Sequence, residues 1–488
     1  MADESERHGQ TVSPRISRRA IWAGALGVTA AGLAGLGAWL SRTPVGLLDG
    51  HSRSRAIDGD SVLPQSVDVL IIGGGFVGAF AALALAERGV SVALCEKGAI
   101  AGEASGRSMG YVDSQLLDPI KLELVSHAKR LWRELDTRIG LDAGYRPTGL
   151  VQALADAPAR EFAQGWVAQT RAIPEMESRI LSARELEALL PDMRDPPAAA
   201  LHTLADGSVE PQLAAPAVAE AARRHGARIL QQCAVRGLET KAGRVSAAVT
   251  EKGTIACQAV ILAGGAWSSL FLKSLGLPLP QLNIYLSMMA LSAVPGPKVP
   301  YSAGSYGFRP QVNGDYTFGA VDFAAPIEPA TLGNLHRLWP AVRAFWPMAS
   351  VGFSPREFWN QLSTSSRWSL HEPSPFEARR VQVPEFRAGP LQEGLKELRA
   401  HFPIFEGARI VDRWTGVISS TPDNMPVIGP LTRYPGLYAG TAFTFGLTMG
   451  PAAGEALADL ATGRTPVIDL KPYRYERFSD GSALSFYP

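Results

Sequence analysis

Val67-Asp68-Val69-Leu70-Ile71-Ile72 is an apolar run of strand length that passes without a break into Gly73-Gly74-Gly75-Phe76-Val77-Gly78. A helix-forming stretch, Ala79 to Arg88, follows, then a second strand-like run, Val90 to Leu94. Glu96 closes that run, 23 residues after Gly73. Strand, glycine turn, helix and strand, ending in an acid at this distance, are the parts of a parallel βαβ unit that binds a dinucleotide. Gly73 permits the tight turn, Gly75 lets the backbone approach a pyrophosphate, and Gly78 lets helix and strand pack closely. The phosphates are expected on the N–H groups of the helix start, around Phe76 and Val77. Glu96, with Lys97 beside it, is expected to accept from ribose hydroxyls. An acid there disfavours a 2′-phosphate, and so NADP, but leaves NAD and FAD open.

Further segments fit the same pocket. The stretch Ala101 to Gly110 is small and polar, and Ala104, Ser105, Arg107 and Gly110 supply donors for phosphate or sugar oxygens; a plain solvent loop is the alternative. A strand over Thr254 to Ile261 ends in Leu262-Ala263-Gly264-Gly265-Ala266-Trp267, where Gly264, Gly265 and Trp267 suit close approach to a cofactor or a simple tight turn. Val235, ahead of a hairpin at Gly237 to Val249, joins this set. Near the C-terminus, a strand over Ile410 to Thr415 leads into an expected loop from Gly416 to Met425. Gly446-Leu447-Thr448 then opens an Ala-rich helix whose N–H groups are placed to stabilise negative charge on the cofactor. Glycine-marked sites at both ends of the chain imply a nucleotide domain interrupted by another.

Composition narrows the remainder. With 46% hydrophobic and 19% charged residues in 488, global disorder is excluded and two or three domains are expected. A net charge of +1 argues against a nucleic-acid partner held by broad electrostatics. Cys95, Cys233 and Cys257 lack the spacing of a zinc site, and no metal is expected. Residues 151 to 205 read as helices and loops with Pro174, Pro191, Pro196 and Pro197 as breakers. Asp118 to Ile139 and Ala214 to His225 read as helices, and Leu286 to Leu291 and Tyr316 to Phe323 as strands. Helices over Asn334 to Ala349 and Pro355 to Gln361 carry Trp339, Phe345, Trp346, Phe353, Phe358 and Trp359, as domain core, lid or bilayer-facing patch.

Ala20 to Leu40 holds 21 residues without a charge, about 31 Å as a helix. Arg18-Arg19 before it resembles a twin-arginine export signal. The expectation is one uncleaved anchor in the bacterial inner membrane with the body facing the periplasm; a cleaved signal peptide and a buried helix are the alternatives.

Over nearly its whole length the chain resembles the membrane-bound L-amino-acid deaminases of bacteria, within the FAD-dependent D-amino-acid oxidase superfamily. Ile16-Ser17-Arg18-Arg19, Gly73-Gly74-Gly75, Glu96-Lys97-Gly98, Ile100-Ala101-Gly102-Glu103, Ala263-Gly264-Gly265-Ala266-Trp267-Ser268, Ser374-Pro375-Phe376-Glu377 and Tyr434-Pro435-Gly436-Leu437 carry the resemblance, as do Gln232 to Thr240 and Val249 to Gly253. It implies an α/β fold, with a Rossmann-like FAD-binding domain interrupted by an α+β substrate domain and preceded by a transmembrane helix. The corresponding boundaries are 1–19 twin-arginine region, 20–40 anchor, 41–64 linker, 65–145, 206–280 and 406–470 FAD-binding domain, 146–205 and 281–405 substrate domain, an aromatic insertion at about 325–372, and 471–488 tail.

The resemblance further implies non-covalent FAD and oxidation of a neutral, aromatic or large aliphatic, L-amino acid to the 2-oxo acid and ammonia. Electrons would pass to a quinone or cytochrome of the membrane chain. Arg309 would grip the substrate carboxylate, Phe308 would wall the pocket, and Tyr111 and Phe445 would stand near flavin or substrate. Tyr111 replaces an expected Gln, Phe445 a Trp, and Asn424 and Met449 a Glu, which leaves side-chain preference open. Tyr111, Tyr306 and His371 are candidates for ordering water. Oxidation of a D-amino acid, proline, glycine, sarcosine or a 2-hydroxy acid is the alternative chemistry, and a non-enzymatic nucleotide-binding protein the alternative class.

Overall fold

The computed structural model describes residues 53–114, 118–345 and 349–487. Ser66–Ile72 is a strand because Val69, Leu70 and Ile71 are enclosed on both faces. It runs parallel to Gly253–Leu262 on one side and Val92–Cys95 on the other. Leu437–Thr441 and Arg228–Leu230 extend this sheet in parallel, and Val427–Pro430 adds an antiparallel edge. Val235–Lys241 and Arg244–Thr250 form a hairpin beside Gly253–Leu262, turning through Ala242 and Gly243 at φ 51° and 76°.

Phe76–Glu87 has no polar stripe, and all but its last residue are buried. It is sandwiched between sheet and helices, in one apolar cluster with Leu122–Ile139, Pro211–Arg224 and Gly446–Ala461. Its approach to Gly446–Ala461 is backbone to backbone: a Cβ at Gly454 would lie 2.7 Å from the Val77 carbonyl oxygen.

A second sheet of ten strands runs Ala349–Gly352, Phe323–Pro326, Leu282–Leu291, Tyr316–Ala320, Tyr306–Pro310, Tyr301–Ser302, Leu150–Ala153, Ala199–Thr203 and Ser178–Ser182, with Ile410–Ser420 paired to Leu282–Leu291. That last pair runs antiparallel from Leu282↔Ser420 to Leu291↔Ile410. An aromatic core of Tyr301, Tyr306, Phe308, Tyr316, Phe402 and Phe405 lies against this sheet.

Several expectations are corrected. Residues 151 to 205 contain three strands of the second sheet as well as helices. The expected loop from Gly416 continues as strand to Ser420, in the second sheet. Tyr316 to Phe323 breaks into two strands, and the aromatic segment holds helices Leu335–Phe345 and Pro355–Ser363 around the strand Ala349–Gly352. Trp346 lies outside the described residues. The transmembrane helix, and with it the inner-membrane, periplasm-facing location, is also corrected. Among the described residues no helix is long and apolar enough to cross a membrane. The run Ala20 to Leu40 lies outside them. The fold class is therefore a Rossmann-like α/β domain with an inserted α+β domain.

Candidate active site

The carboxyl ends of Ser66–Ile72 and Gly253–Leu262 open into a cavity of about 360 Å³. Gly73 turns at φ 107°, and a Cβ there would lie 2.4 Å from the Ala263 carbonyl oxygen, so the two strand ends meet backbone to backbone. Gly75, Phe76 and Val77 line the cavity at the helix start. Gly78 does not; it faces the Gly73 carbonyl behind the turn and acts through packing. All the other expected cofactor residues line the one cavity: Glu96, Lys97, Ala104, Ser105, Arg107, Gly110, Val235, Gly264, Gly265, Trp267, Gly416, Gly446, Leu447 and Thr448.

Several are held by identifiable contacts. Glu96 accepts from Gly74 N at 2.8 Å and Gly98 N at 2.7 Å. Burial pushes its carboxyl above the usual range, with Lys97 and these N–H groups opposing. Its oxygens keep lone pairs for ribose hydroxyls. Lys97 donates to Glu103 at 3.0 Å and lies 4.2 Å from the Trp267 ring centre, while the Trp267 indole N–H also donates to Glu103 at 2.9 Å. Ser105 Oγ accepts from Phe76 N at 3.1 Å, tying the polar loop to the helix start. The Arg107 Nε and the Ser108 hydroxyl are buried without a partner among the described residues, and both residues line the cavity. A backbone cradle, a buried acid at the end of the second strand and orphaned polar atoms around one crevice fit a dinucleotide.

The residues expected to act on substrate divide. Phe445 lines the cavity at the start of Gly446–Ala461. Tyr111 lines it too, but its hydroxyl points away, donating to the Tyr301 and Phe308 carbonyls at 3.1 and 3.0 Å. Burial, with Asp113 nearby, pushes that hydroxyl well above its ordinary pKa. Arg309 and Phe308 do not line the cavity. Phe308 is fully buried in the aromatic core. Arg309 is 1% exposed and absent from the cavity wall, lying behind Gly110. All its donors are satisfied internally: Nη1 and Nη2 fork onto Glu210 at 2.9 and 3.1 Å, Nε donates to the Met109 carbonyl at 2.7 Å, and Pro310 O and Thr317 Oγ1 take the rest. Tyr306 is buried against His401, His371 is exposed, and neither lines the cavity. Met449 is core, while Asn424 holds Ser420, Thr444 and the carbonyl of Tyr487.

Sequence reasoning missed Glu103, Met109, Asp113, Leu286, Met288 and Ser419 in the wall. Leu286 and Met288 alternate on one strand, a period-two signal that was readable. Asp113 exchanges hydrogen bonds with Thr448, its N–H donating to Oγ1 at 3.1 Å and its carboxylate accepting at 3.1 Å. Asp206, Lys129, Ser114 and Tyr111 also stand around it. Burial and Asp206 push its carboxyl up to about 7, with Thr448 and Lys129 opposing.

That shift makes a prediction. An unfolded Asp113 ionises near pH 3.8, so between there and about 7 the folded chain holds a proton the unfolded chain has released. Stability therefore falls as pH rises through this window. Asp113→Asn should stabilise the protein by roughly 4 kcal/mol at pH 8 and leave it nearly unchanged at pH 4, read from unfolding midpoints. An equal effect at both pH values would contradict the raised carboxyl.

Fold and crevice together define a dinucleotide-dependent oxidoreductase. The family profile described as FAD dependent oxidoreductase matches residues 68–460, and the chain belongs to that family, with FAD as cofactor. It is 37% identical to the L-amino acid deaminase from Proteus myxofaciens, solved in complex with anthranilate, covering 88% of this chain and 97% of that one at a TM-score of 0.86. The L-amino acid deaminase from Proteus vulgaris is 33% identical, covering 86% and 100% at a TM-score of 0.83. Glycine oxidase of Pseudomonas putida is 24% identical over 430 residues, 84% of this chain and 99% of that protein.

Proposed function

We propose that this protein oxidatively deaminates neutral L-amino acids with aromatic or large aliphatic side chains, yielding the 2-oxo acid and ammonia. The reaction class, FAD-dependent oxidative deamination of an L-amino acid, follows from family membership and the two deaminase structures. The observation that carries the side-chain class is the apolar part of the cavity lining, to which Met109, Leu286, Met288, Phe443 and Phe445 contribute. Bound FAD supplies a two-electron acceptor for the carbon bearing the amine.

The chain's own part is to bind, orient and dry the substrate. The apolar wall takes the side chain and displaces water. Orientation of the α-carbon accounts for much of the rate in such chemistry. The backbone N–H groups opening Gly446–Ala461 favour negative charge at that end of the cavity. A quinone or cytochrome is the acceptor class for the electrons.

The test is a screen of purified holoenzyme against both enantiomers of leucine, phenylalanine and tryptophan, with glycine, sarcosine, proline and 2-hydroxy acids, following oxo acid and ammonia. Dioxygen, a quinone analogue and a cytochrome serve in turn as acceptor. Turnover should be confined to L-enantiomers with large apolar side chains. Preference for a D-amino acid, for glycine or for a hydroxy acid would reject the reading.

A further inference from the structure

We propose that Asp113 takes up a proton when the bound FAD is reduced, and so ties the cofactor's potential to pH; this rests on the cofactor and not on which amino acid is oxidised. Asp113 lines the cavity directly after the strand Tyr111–Val112. Its main-chain N–H donates to Thr448 Oγ1 at 3.1 Å, and its Oδ1 accepts from that hydroxyl at 3.1 Å. Oδ2 has no hydrogen-bond partner among the described residues. Thr448 lies in the first turn of Gly446–Ala461, and Gly446, Leu447 and Thr448 line the cavity with Asp113. That helix start has no side-chain cap and no acid in its first turn, so its positive end is answered from outside the helix. Asp113 is a carboxylate hydrogen-bonded to that turn.

Charge accounting behind the wall leaves Asp113 unmatched. Lys129, fully buried, donates to Asp206 Oδ1 at 2.6 Å and to Ser114 Oγ at 3.0 Å, and Ser114 Oγ donates to the same Asp206 oxygen at 2.9 Å. Asp206 is equally buried, and its Oδ2 has no hydrogen-bond partner among the described residues. Lys129 is thus claimed by Asp206. Arg309 is claimed by Glu210, and Arg133 donates to the Ala205 carbonyl. Tyr111 sends its hydroxyl to the Tyr301 and Phe308 carbonyls. Further along the helix, Glu455 faces His127 and Arg138, and Asp459 faces Arg88. Among the described residues, then, Asp113 has no cation in hydrogen-bond contact.

Reduction adds negative charge to this space. Like charges in a site shielded from water each raise the other's affinity for a proton, and the coupling is reciprocal. The Asp113 carboxyl, already pushed up to about 7 by burial and Asp206, needs only a modest added field to change its charge. The balance is simple. Oxidising the carbon that bears an ammonium to the iminium releases two electrons and two protons. A hydride carries both electrons and one proton to the cofactor, and the second proton forms the O–H bond on Asp113.

The experiment is a reductive titration of FAD-loaded protein with a chemical reductant, following flavin absorbance from pH 6 to pH 9. The slope of the midpoint potential against pH counts protons taken up per electron pair. In the window above pH 7, Asp113→Asn should take up one proton fewer than wild type. At pH 9 its reduced form should be favoured at least about tenfold over that of wild type, and at pH 6 the two should agree within about twofold. Thr448→Val removes a hydrogen bond that favours the ionised carboxylate, and should move the window to higher pH. Difference infrared spectra at pH 8 should show a protonated carboxyl appearing on reduction in wild type and not in Asp113→Asn. An equal displacement of potential at pH 6 and pH 9, or no new protonated carboxyl in wild type, overturns the proposal. If Asp113→Asn fails to hold flavin, the wild-type spectra and Thr448→Val decide, and an unshifted window overturns it. No amino acid enters these titrations, so failure of the deaminase reading would appear in the substrate screen alone.

Discussion

Gly78→Ala should yield a protein that holds roughly a tenth or less of the wild-type flavin and unfolds at lower temperature. Gly78 touches no cofactor-lining space, so the effect passes through packing. A Cβ at this position would lie 1.9 Å from the Gly73 carbonyl oxygen, 3.1 Å from its carbon and 3.3 Å from Ile71 Cγ2. Two of those atoms are backbone and cannot rotate away. Relief requires the helix Phe76–Glu87 to lift from the strand Ser66–Ile72, and the helix is pinned on its other side by Gly446–Ala461 at Gly454. The turn that carries Gly73 to Gly75 would open, misplacing the N–H groups on which a pyrophosphate rests. Gly89→Ala is the matched control. Gly89 has φ 73° but nothing within 4 Å of a built Cβ, so it tests backbone strain without the clash. Flavin absorbance per protein and the unfolding midpoint are the readouts. Full flavin retention in Gly78→Ala would mean that the strand–turn–helix geometry is looser than described.

The nucleotide half of the cavity was legible because its information is local. Strand, turn, helix and acid lie within 31 residues of one another, from Ser66 to Glu96, and backbone sterics at Gly73 and Gly78 dictate the outcome. The loop Ala101 to Gly110 and the start of Gly446–Ala461 were readable for the same reason: small residues where a regular element begins. The second sheet was harder. Leu150–Ala153, Ser178–Ser182 and Ala199–Thr203 are short and Ala- or Ser-rich, so no hydrophobic period separates them from helix or loop. Ile410–Ser420 looked interrupted at Gly416, yet that glycine sits in mid-strand, where its missing side chain leaves room for Arg107 Cβ at 3.4 Å. The partner of Arg309 was invisible because Glu210 is 99 positions away, at the start of Pro211–Arg224. A sequence displays a charge but not whether another charge has already claimed it.

Arg309 is the position where that distinction has the largest consequence. Arg309→Met would leave the Glu210 carboxylate buried with, among the described residues, only the Val312 N–H, at 2.8 Å, as a remaining hydrogen-bond partner. Breaking one side of a buried pair costs about 3–5 kcal/mol, because the abandoned charge keeps its desolvation penalty. The protein should unfold at correspondingly lower denaturant. The double variant Arg309→Met with Glu210→Met removes both charges and should recover a large part of that loss, since an apolar pair of similar volume is tolerated where a lone charge is not. In the fraction of Arg309→Met that remains folded, benzoate affinity should lie within about threefold of wild type, as the side chain does not reach the cavity. A carboxylate-binding Arg309 gives the opposite pattern: modest change in stability, a large fall in benzoate affinity, and no rescue by the Glu210 substitution. Unfolding and ligand titration on the same three proteins therefore separate a residue that builds the wall from one that faces the substrate. Glu210 stands at the N-terminus of the helix Pro211–Arg224, and the Arg309 Nε bond to the Met109 carbonyl fixes the segment bearing Gly110 and Tyr111. Loss of the pair should loosen that wall before it changes any contact made by the ligand.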